Sequence, residues 1–129
     1  MLFSIDLRHP DSAVLSDLGD RVALLCSSHA GPCRVSVIEL STAMSLVFPE
    51  RMRELIRASA CHERIQTIEL LSSAGHDARY LHEVCAAGMI FVPCRARVSH
   101  NEAEWAEPED LADGTRVLAR ALLELANEP

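Results

Sequence analysis

The pattern of apolar and polar positions predicts a chain in which strands and helices alternate. Near the start, Phe3, Ile5 and Leu7 alternate with polar residues, as in a half-buried strand. Other segments carry apolar residues at the three- and four-residue spacing of an amphipathic helix. The predicted strands are residues 3–8, 33–40, 65–71 and 89–92, and the predicted helices are residues 12–29, 49–61, 77–85 and 108–126. This order indicates an α/β fold, whose ligand sites lie where strands end.

Local signals mark where the predicted helices begin. Asp11 or Ser12 is expected to cap the first helix, Pro49 to open the second and Asp77 to cap the third. The last helix starts with acidic residues, which suit the positive end of the helix dipole. Its inward face is expected to hold five apolar side chains: Leu111, Val117, Leu118, Leu122 and Leu125.

Charge and composition exclude several classes of function. The 129 residues contain 12 basic and 19 acidic side chains, a net charge of −7, which argues against nucleic-acid and anionic-membrane surfaces. No apolar run approaches the roughly 20 residues that span a bilayer, and the N-terminus does not resemble a secretory signal. The five cysteines form no C-x-x-C pair. We therefore expect a cytoplasmic protein without a disulfide framework.

Two loops that follow predicted strands hold residues able to bind ligands or exchange protons. In the first, Gly75 allows a ligand close to the backbone, and Asp77 can orient the imidazole of His76. In the second, His100 is a candidate zinc ligand with Glu104 as a carboxylate partner. Each loop also has a simpler interpretation. The first is then an ordinary turn capped by an aspartate, and the second contains a solvated histidine.

Two further residues, Arg8 and Cys94, have candidate roles of their own. Arg8 can bind a carboxylate through its planar guanidinium, although the local pattern alone favours an exposed Asp6–Arg8 pair of little energetic value. Cys94 follows a strand and would be a nucleophile only if a base stabilised its thiolate. The sequence identifies no such base.

Taken in chain order, these motifs resemble one family over essentially the whole chain. It is the zinc-dependent amidohydrolases that include N-carbamoyl-L-amino-acid hydrolases, allantoate amidohydrolases and one class of beta-ureidopropionase. The segments that carry the resemblance are Asp6-Leu7-Arg8-His9-Pro10-Asp11, Ser72-Ser73-Ala74-Gly75-His76-Asp77, Met89-Ile90-Phe91-Val92-Pro93, Ser99-His100-Asn101-Glu102-Ala103-Glu104 and Glu109-Asp110-Leu111-Ala112-Asp113-Gly114.

The resemblance implies that this chain corresponds to the C-terminal part of a longer architecture. Residues 1–46 would be the closing β-α-β part of a small α+β dimerisation, or lid, domain. Residues 47–129 would be the C-terminal part of a mixed-sheet zinc-hydrolase catalytic domain. Zinc, or another divalent metal such as manganese, would serve the intact enzyme, while this chain alone is expected to bind none tightly.

The resemblance also assigns roles to individual residues. Arg8 matches the arginine that holds the substrate carboxylate, and Gly75 and His76 match a loop that contacts the substrate near the scissile group. His100 matches the last metal-binding histidine. Supporting roles fall to three neighbours: Asp77, Ser99 and Glu104. The family's other metal ligands and its general base have no counterpart here, so no catalytic residue is assigned.

This sequence departs from the family pattern at four positions in or near these loops. Arg97 and Ser73 stand where glycine is usual, Glu102 where proline is usual, and Cys94 where serine is common. Arg97 matters most, because glycine is often required for its backbone angles.

The resulting hypothesis is a fragment of a hydrolase of non-peptide C–N bonds in a carbamoyl or ureido acid, inactive alone. Its expected partners are that small-molecule substrate and either a second copy of the chain or a missing upstream half. Two alternatives stay open: a non-catalytic dimerisation or interaction module, and one half of a split enzyme. Neither a nucleic acid nor a membrane is expected as a partner.

Overall fold

The computed structural model describes residues 1–72 and 75–128, which fall into two compact units. The first contains residues 1–47 with Leu71, Ser72 and Gly75, and the second contains residues 48–70 and 76–128. The sequence departure at Ser73 lies outside the described residues. Because the two units are separate bodies, each is described by itself. Whether they correspond to a lid domain and a catalytic domain remains a prediction.

The first unit is organised around helix α1, Ser12–Ser28. Of the two expected caps, Asp11 fills the role: its Oδ1 accepts hydrogen bonds from the backbone N of Ala13 at 2.8 Å and of Val14 at 3.3 Å. Ser45 ties a later segment to the start of this helix, since its backbone N donates to Ser12 Oγ at 2.8 Å. No residue of α1 is buried.

The second unit is built on two packed helices, α2 (Glu50–His62) and α4 (Pro108–Ala126). Pro49 precedes α2 and Pro108 opens α4, as the sequence predicts. Small side chains fill most of the buried positions and allow the two backbones to approach closely. The buried residues of this pair are Ser59, Ala60, Val117 and Ala121.

The C-terminal end of α2 forms a left-handed cap. Arg64 follows the helix with φ +58°. Its backbone N donates to Cys61 O at 3.0 Å, and the backbone N of Ile65 donates to Ala60 O at 2.9 Å. These two bonds define a Schellman motif, in which glycine is the usual residue at the left-handed position. Here an arginine occupies it.

Glycine makes two close contacts possible within the second unit. A Cβ added at Gly114 of α4 would lie 2.6 Å from Val92 Cγ1, and one added at Gly88 would lie 3.0 Å from Ile56 Cδ1. Residues 88–92 therefore run directly against the helices. Beside this contact, an open apolar groove of about 180 Å³ is lined by six residues: Ile90, Val92, Leu111, Gly114, Thr115 and Leu118.

The four predicted strands are not present as paired strands in the described part of the chain. Residues 3–8, 33–40, 65–71 and 89–92 lie outside the helices, and no β-ladder is assigned within residues 1–72 and 75–128. A strand is stabilised only by pairing with another, and these segments find no such partner here. Many of their apolar side chains stay exposed, with Ile68 at 79% and Leu70 at 62%.

Two helix predictions also require correction. The third helix, α3, spans only Asp77–Leu81 rather than residues 77–85. On α4, Val117 is buried, but three of the expected inward leucines are about half exposed, namely Leu111, Leu118 and Leu122. Leu111 and Leu118 line the open groove, which explains why these two side chains remain uncovered. No described helix is long and apolar enough to cross a membrane.

Candidate functional site

The start of α3 places His76 in a defined hydrogen bond. His76 is the N-cap of this helix, with an extended backbone (φ −150°, ψ 148°), and its Nδ1 accepts from Ala78 N at 3.2 Å. Because Nδ1 accepts, the proton of the neutral ring must lie on Nε2, which can donate to a ligand. The prediction that Asp77 is the cap is wrong: Asp77 is the first helical residue, since the extended backbone that a cap needs occurs at His76.

Gly75 leaves space beside its backbone. A Cβ added there would meet nothing within 4 Å among the described residues. The side of Gly75 that a side chain would fill is therefore open to another group. Gly75 belongs to the first unit and His76 to the second, so their geometry is given separately.

The loop between residues 93 and 107 is held from inside by Glu104. One carboxylate oxygen of Glu104, Oε2, accepts from the backbone N of His100 at 2.6 Å. The other, Oε1, lies 3.8 Å from Cys94 Sγ. A further bond joins Ala103 N to Asn101 Oδ1 at 2.9 Å. Glu104 therefore connects the first residue of the loop to its centre, while Ser99 and the His100 side chain are exposed.

Three residues of this loop have a left-handed backbone without being glycine. Ala96 has φ +53°, Arg97 φ +61° and His100 φ +55°. Such angles are unfavourable for residues with a Cβ. At Arg97, the structure thus has the backbone conformation for which glycine is suited. The loop keeps its turn nonetheless, since Arg97 N donates to Cys94 O at 3.0 Å.

The base of the same loop is closed by Arg95, Trp105 and Glu107. Arg95 N donates to Trp105 O at 2.7 Å, and Arg95 Nε donates to Glu107 Oε1 at 2.8 Å. The Arg95 guanidinium carbon lies 5.4 Å from the centroid of the Trp105 ring, within range of a cation–π interaction. The hydrogen bond from Arg95 lowers the pKa of Glu107. Sequence reasoning missed this group, because contacts across an irregular loop leave no periodic signal.

The environment of Cys94 opposes thiolate chemistry. Loss of solvent raises the pKa of its thiol, and the negative charge of Glu104 raises that pKa further. A nucleophilic cysteine needs the opposite shift. Cys94 is therefore a poor candidate for a catalytic nucleophile.

Arg8 forms an exposed ion pair in the first unit. Its Nε donates to Asp6 Oδ2 at 2.9 Å. This hydrogen bond lowers the pKa of Asp6 and raises the pKa of Arg8. The local geometry is that of the simple surface pair, so a substrate carboxylate would have to compete with Asp6 for this guanidinium.

The described residues do not by themselves make a metal centre. Residues 1–72 and 75–128 bring together no group of three or more His, Cys, Asp or Glu side chains able to hold a metal ion. Zinc takes about four ligands, of which the loop can offer the His100 imidazole. The donor set fits one metal ligand rather than a site, and no chemical step is assigned to a metal.

Comparison with known proteins identifies the family. The profile of Peptidase family M20/M25/M40 matches residues 5–124, and the chain belongs to this family. It is similar to the N-carbamoyl-L-amino-acid amidohydrolases of Paenarthrobacter aurescens and Rhizobium meliloti, each 32% identical, covering 93% and 98% of this chain. It is also 33% identical to the allantoate amidohydrolase of Bacillus subtilis, over 96% of this chain.

Solved structures agree with this assignment. A putative amidohydrolase/peptidase from Burkholderia cenocepacia matches 94% of this chain with a TM-score of 0.79 and 36% identity. An amidase of the hydantoinase/carbamoylase family from Burkholderia vietnamiensis matches 94% with a TM-score of 0.76 and 34% identity. This chain spans about 30% of the length of each of these five proteins.

Proposed function

We propose that this chain is part of a metal-dependent hydrolase that cleaves a non-peptide C–N bond in a small carbamoyl or ureido acid. An N-carbamoyl amino acid, allantoate or a related ureido acid is the proposed substrate class. One observation carries the proposal: almost the whole chain aligns, at 32–33% identity, with amidohydrolases named for such substrates. The thiol mechanism, by contrast, is opposed by the raised pKa of Cys94.

Within such an enzyme, each predicted site residue has a role that its chemistry allows. Arg8 binds the substrate carboxylate through its guanidinium. Gly75 lets the substrate approach the backbone, and His76 donates a hydrogen bond from Nε2 to the group being cleaved. His100 supplies one metal ligand. Three residues support these groups: Asp77, Ser99 and Glu104.

The remaining ligands and the general base would come from parts of the family that this chain does not match. The proposed metal is zinc, or another divalent ion such as manganese. When bound, such a metal polarises the carbonyl group and activates water. The 129 residues alone are therefore proposed to be inactive and to bind no metal tightly. A cytoplasmic location, a lid domain over residues 1–46 and a catalytic part over residues 47–129 belong to the same proposal.

The extended segments fit this proposal because they would complete a mixed sheet with strands contributed by the rest of the enzyme. Association with another polypeptide, or with a second copy, also agrees with the exposure of α1. Its apolar residues Val14, Leu24 and Leu25 are 40%, 68% and 53% exposed. Apolar groups exposed together on one element favour association.

A chimeric enzyme tests the proposed function. Residues 1–129 replace the matching part of the Bacillus subtilis allantoate amidohydrolase, and hydrolysis of allantoate and of N-carbamoyl-L-amino acids is measured. We expect activity in the chimera, loss of activity and of bound metal in His100→Ala, and a higher KM in Arg8→Gln. Arg116→Gln is the control, because Arg116 pairs only with Asp113 on the exposed surface of α4 among the described contacts.

Two results would contradict the proposal. One is a chimera that folds and holds its metal but hydrolyses neither substrate class. The other is metal-dependent hydrolysis by the isolated 129-residue chain at a rate proportional to its concentration.

A further inference from the structure

The loop that carries His100 is connected to the helical frame by a short series of contacts. Glu107 is the residue before α4, and its backbone O accepts from Leu111 N at 3.1 Å in the first turn of that helix. The Glu107 carboxylate binds Arg95, and Arg95 in turn lies over Trp105. The base of the loop is thereby anchored to a helix that packs on α2.

The same series continues to His100 through a covalent neighbour. Trp105 directly follows Glu104, whose Oε2 accepts from His100 N at 2.6 Å. Arg95 likewise follows Cys94, whose Sγ lies 3.8 Å from Glu104 Oε1. Because they are covalently adjacent, the positions of Trp105 and Arg95 limit the positions that Glu104 and Cys94 can take. Trp105 and Arg95 are thus the chain neighbours of the two residues, Glu104 and Cys94, that this carboxylate contact joins.

The loop needs such an anchor because its backbone is strained. Ala96, Arg97 and His100 all have left-handed φ angles. For residues with a Cβ, each such angle is unfavourable and persists only where surrounding contacts hold it. At the base of the loop, a backbone bond from Arg95 N to Trp105 O is reinforced by two contacts of the Arg95 side chain, the hydrogen bond to Glu107 and the cation–π contact with Trp105.

We propose that Arg95 is a positioning residue that, through Trp105 and Glu107, holds the Glu104 carboxylate on the backbone amide of His100. This inference rests on the proposed function in one respect, since His100 is the residue whose placement would matter for metal binding. Arg95 is not itself expected to contact metal or substrate.

Amide hydrogen exchange of the 129-residue chain, followed residue by residue by NMR, tests the proposal. Glu104→Ala defines the full loss of protection at the His100 amide. Arg95→Gln should accelerate exchange at that amide by about three- to tenfold, the size of effect typical of coupled contacts. Arg95→Lys retains a cation beside Trp105 and Glu107 and should restore part of the protection. Arg116→Gln is the matched control and should change nothing.

Two internal references make the result decisive. Trp105 is the only tryptophan, so quenching of its fluorescence by acrylamide reports directly whether Arg95→Gln has uncovered the ring. The backbone amides of Ala60, Val117 and Ala121 in the helical frame report global opening. We expect greater quenching and faster exchange at His100 with unchanged exchange in the frame.

Two outcomes would overturn the proposal. If quenching rises but His100 exchange stays at the wild-type rate, the contacts at the base do not position His100. If all amides accelerate equally, Arg95 only stabilises the unit. Neither readout requires metal, substrate or activity, so failure here is distinct from failure of the proposed function, which the chimera tests.

Discussion

Replacing Arg97 by glycine should stabilise the protein, because the backbone at this position is left-handed. With φ +61°, a residue that has a Cβ pays about 1–2 kcal/mol. Glycine has no Cβ and avoids this penalty, but its greater loss of chain entropy on folding costs about 0.5–1 kcal/mol relative to alanine. The difference leaves a net gain of about 0.5–1 kcal/mol.

The assay compares the wild-type chain with Arg97→Gly and Arg97→Ala by thermal and urea unfolding. The alanine variant removes the same side chain but keeps the Cβ, so it isolates the backbone term. We expect Arg97→Ala to resemble the wild type and Arg97→Gly to melt about 2–5 °C higher. If glycine proves no more stable than alanine, the left-handed conformation at residue 97 does not carry the strain assigned to it.

Three further predictions test other parts of the fold. Arg64→Gly should stabilise the left-handed end of α2 by about 1 kcal/mol in urea unfolding, whereas Arg64→Ala should not. Gly114→Ala should destabilise the protein by about 1–3 kcal/mol, because the new Cβ would lie 2.6 Å from Val92 Cγ1. Gly19→Ala is the control: it has open space around it and should instead stabilise α1. Hydrogen bonds from two arginines of α2 lower the pKa of Glu69 in the folded protein. The ionised Glu69 therefore stabilises the folded protein above the pKa that this residue has in the unfolded chain, and this stabilisation is lost as the pH falls through the lower, folded-state pKa. Glu69→Gln should therefore reduce the loss of stability in acid, and an unchanged dependence of Tm on pH below about 5 would contradict this assignment.

The helices were predictable because their signals are local. Apolar spacing and the proline at position 108 predicted α4 with its observed bounds, and α1 ends only one residue earlier than expected. The extended segments were predicted from alternation, as at residues 3–8, or from a continuous apolar run, as at residues 89–92. Such a signal indicates only which side chains are apolar. It does not specify a pairing partner. Residues 3–8 and 89–92 show the consequence, since neither joins a ladder in the described part of the chain.

The site was predictable only in part, for a similar physical reason. Motif comparison selected His76 and His100, and their roles stay predictions. It predicted Asp77 as the cap of α3, whereas His76 fills that role, because both side chains can accept a hydrogen bond and the extended backbone lies at residue 76. The contact of Arg95 with Glu107 spans twelve residues of irregular chain, and no spacing rule predicts it.

The distribution of apolar residues explains why this site loop should respond to what covers α4. The buried face of α4 holds Val117 and Ala121, whereas the larger leucines 111, 118 and 122 remain about half exposed. Covering the exposed half of three leucines is worth about 2–4 kcal/mol, since full burial of each contributes about 1.5–3 kcal/mol. Under the proposed function, the rest of the enzyme provides that cover. Because Glu107 joins the start of α4 to Arg95, the same burial would stiffen the base of the loop and, through Glu104, the placement of His100.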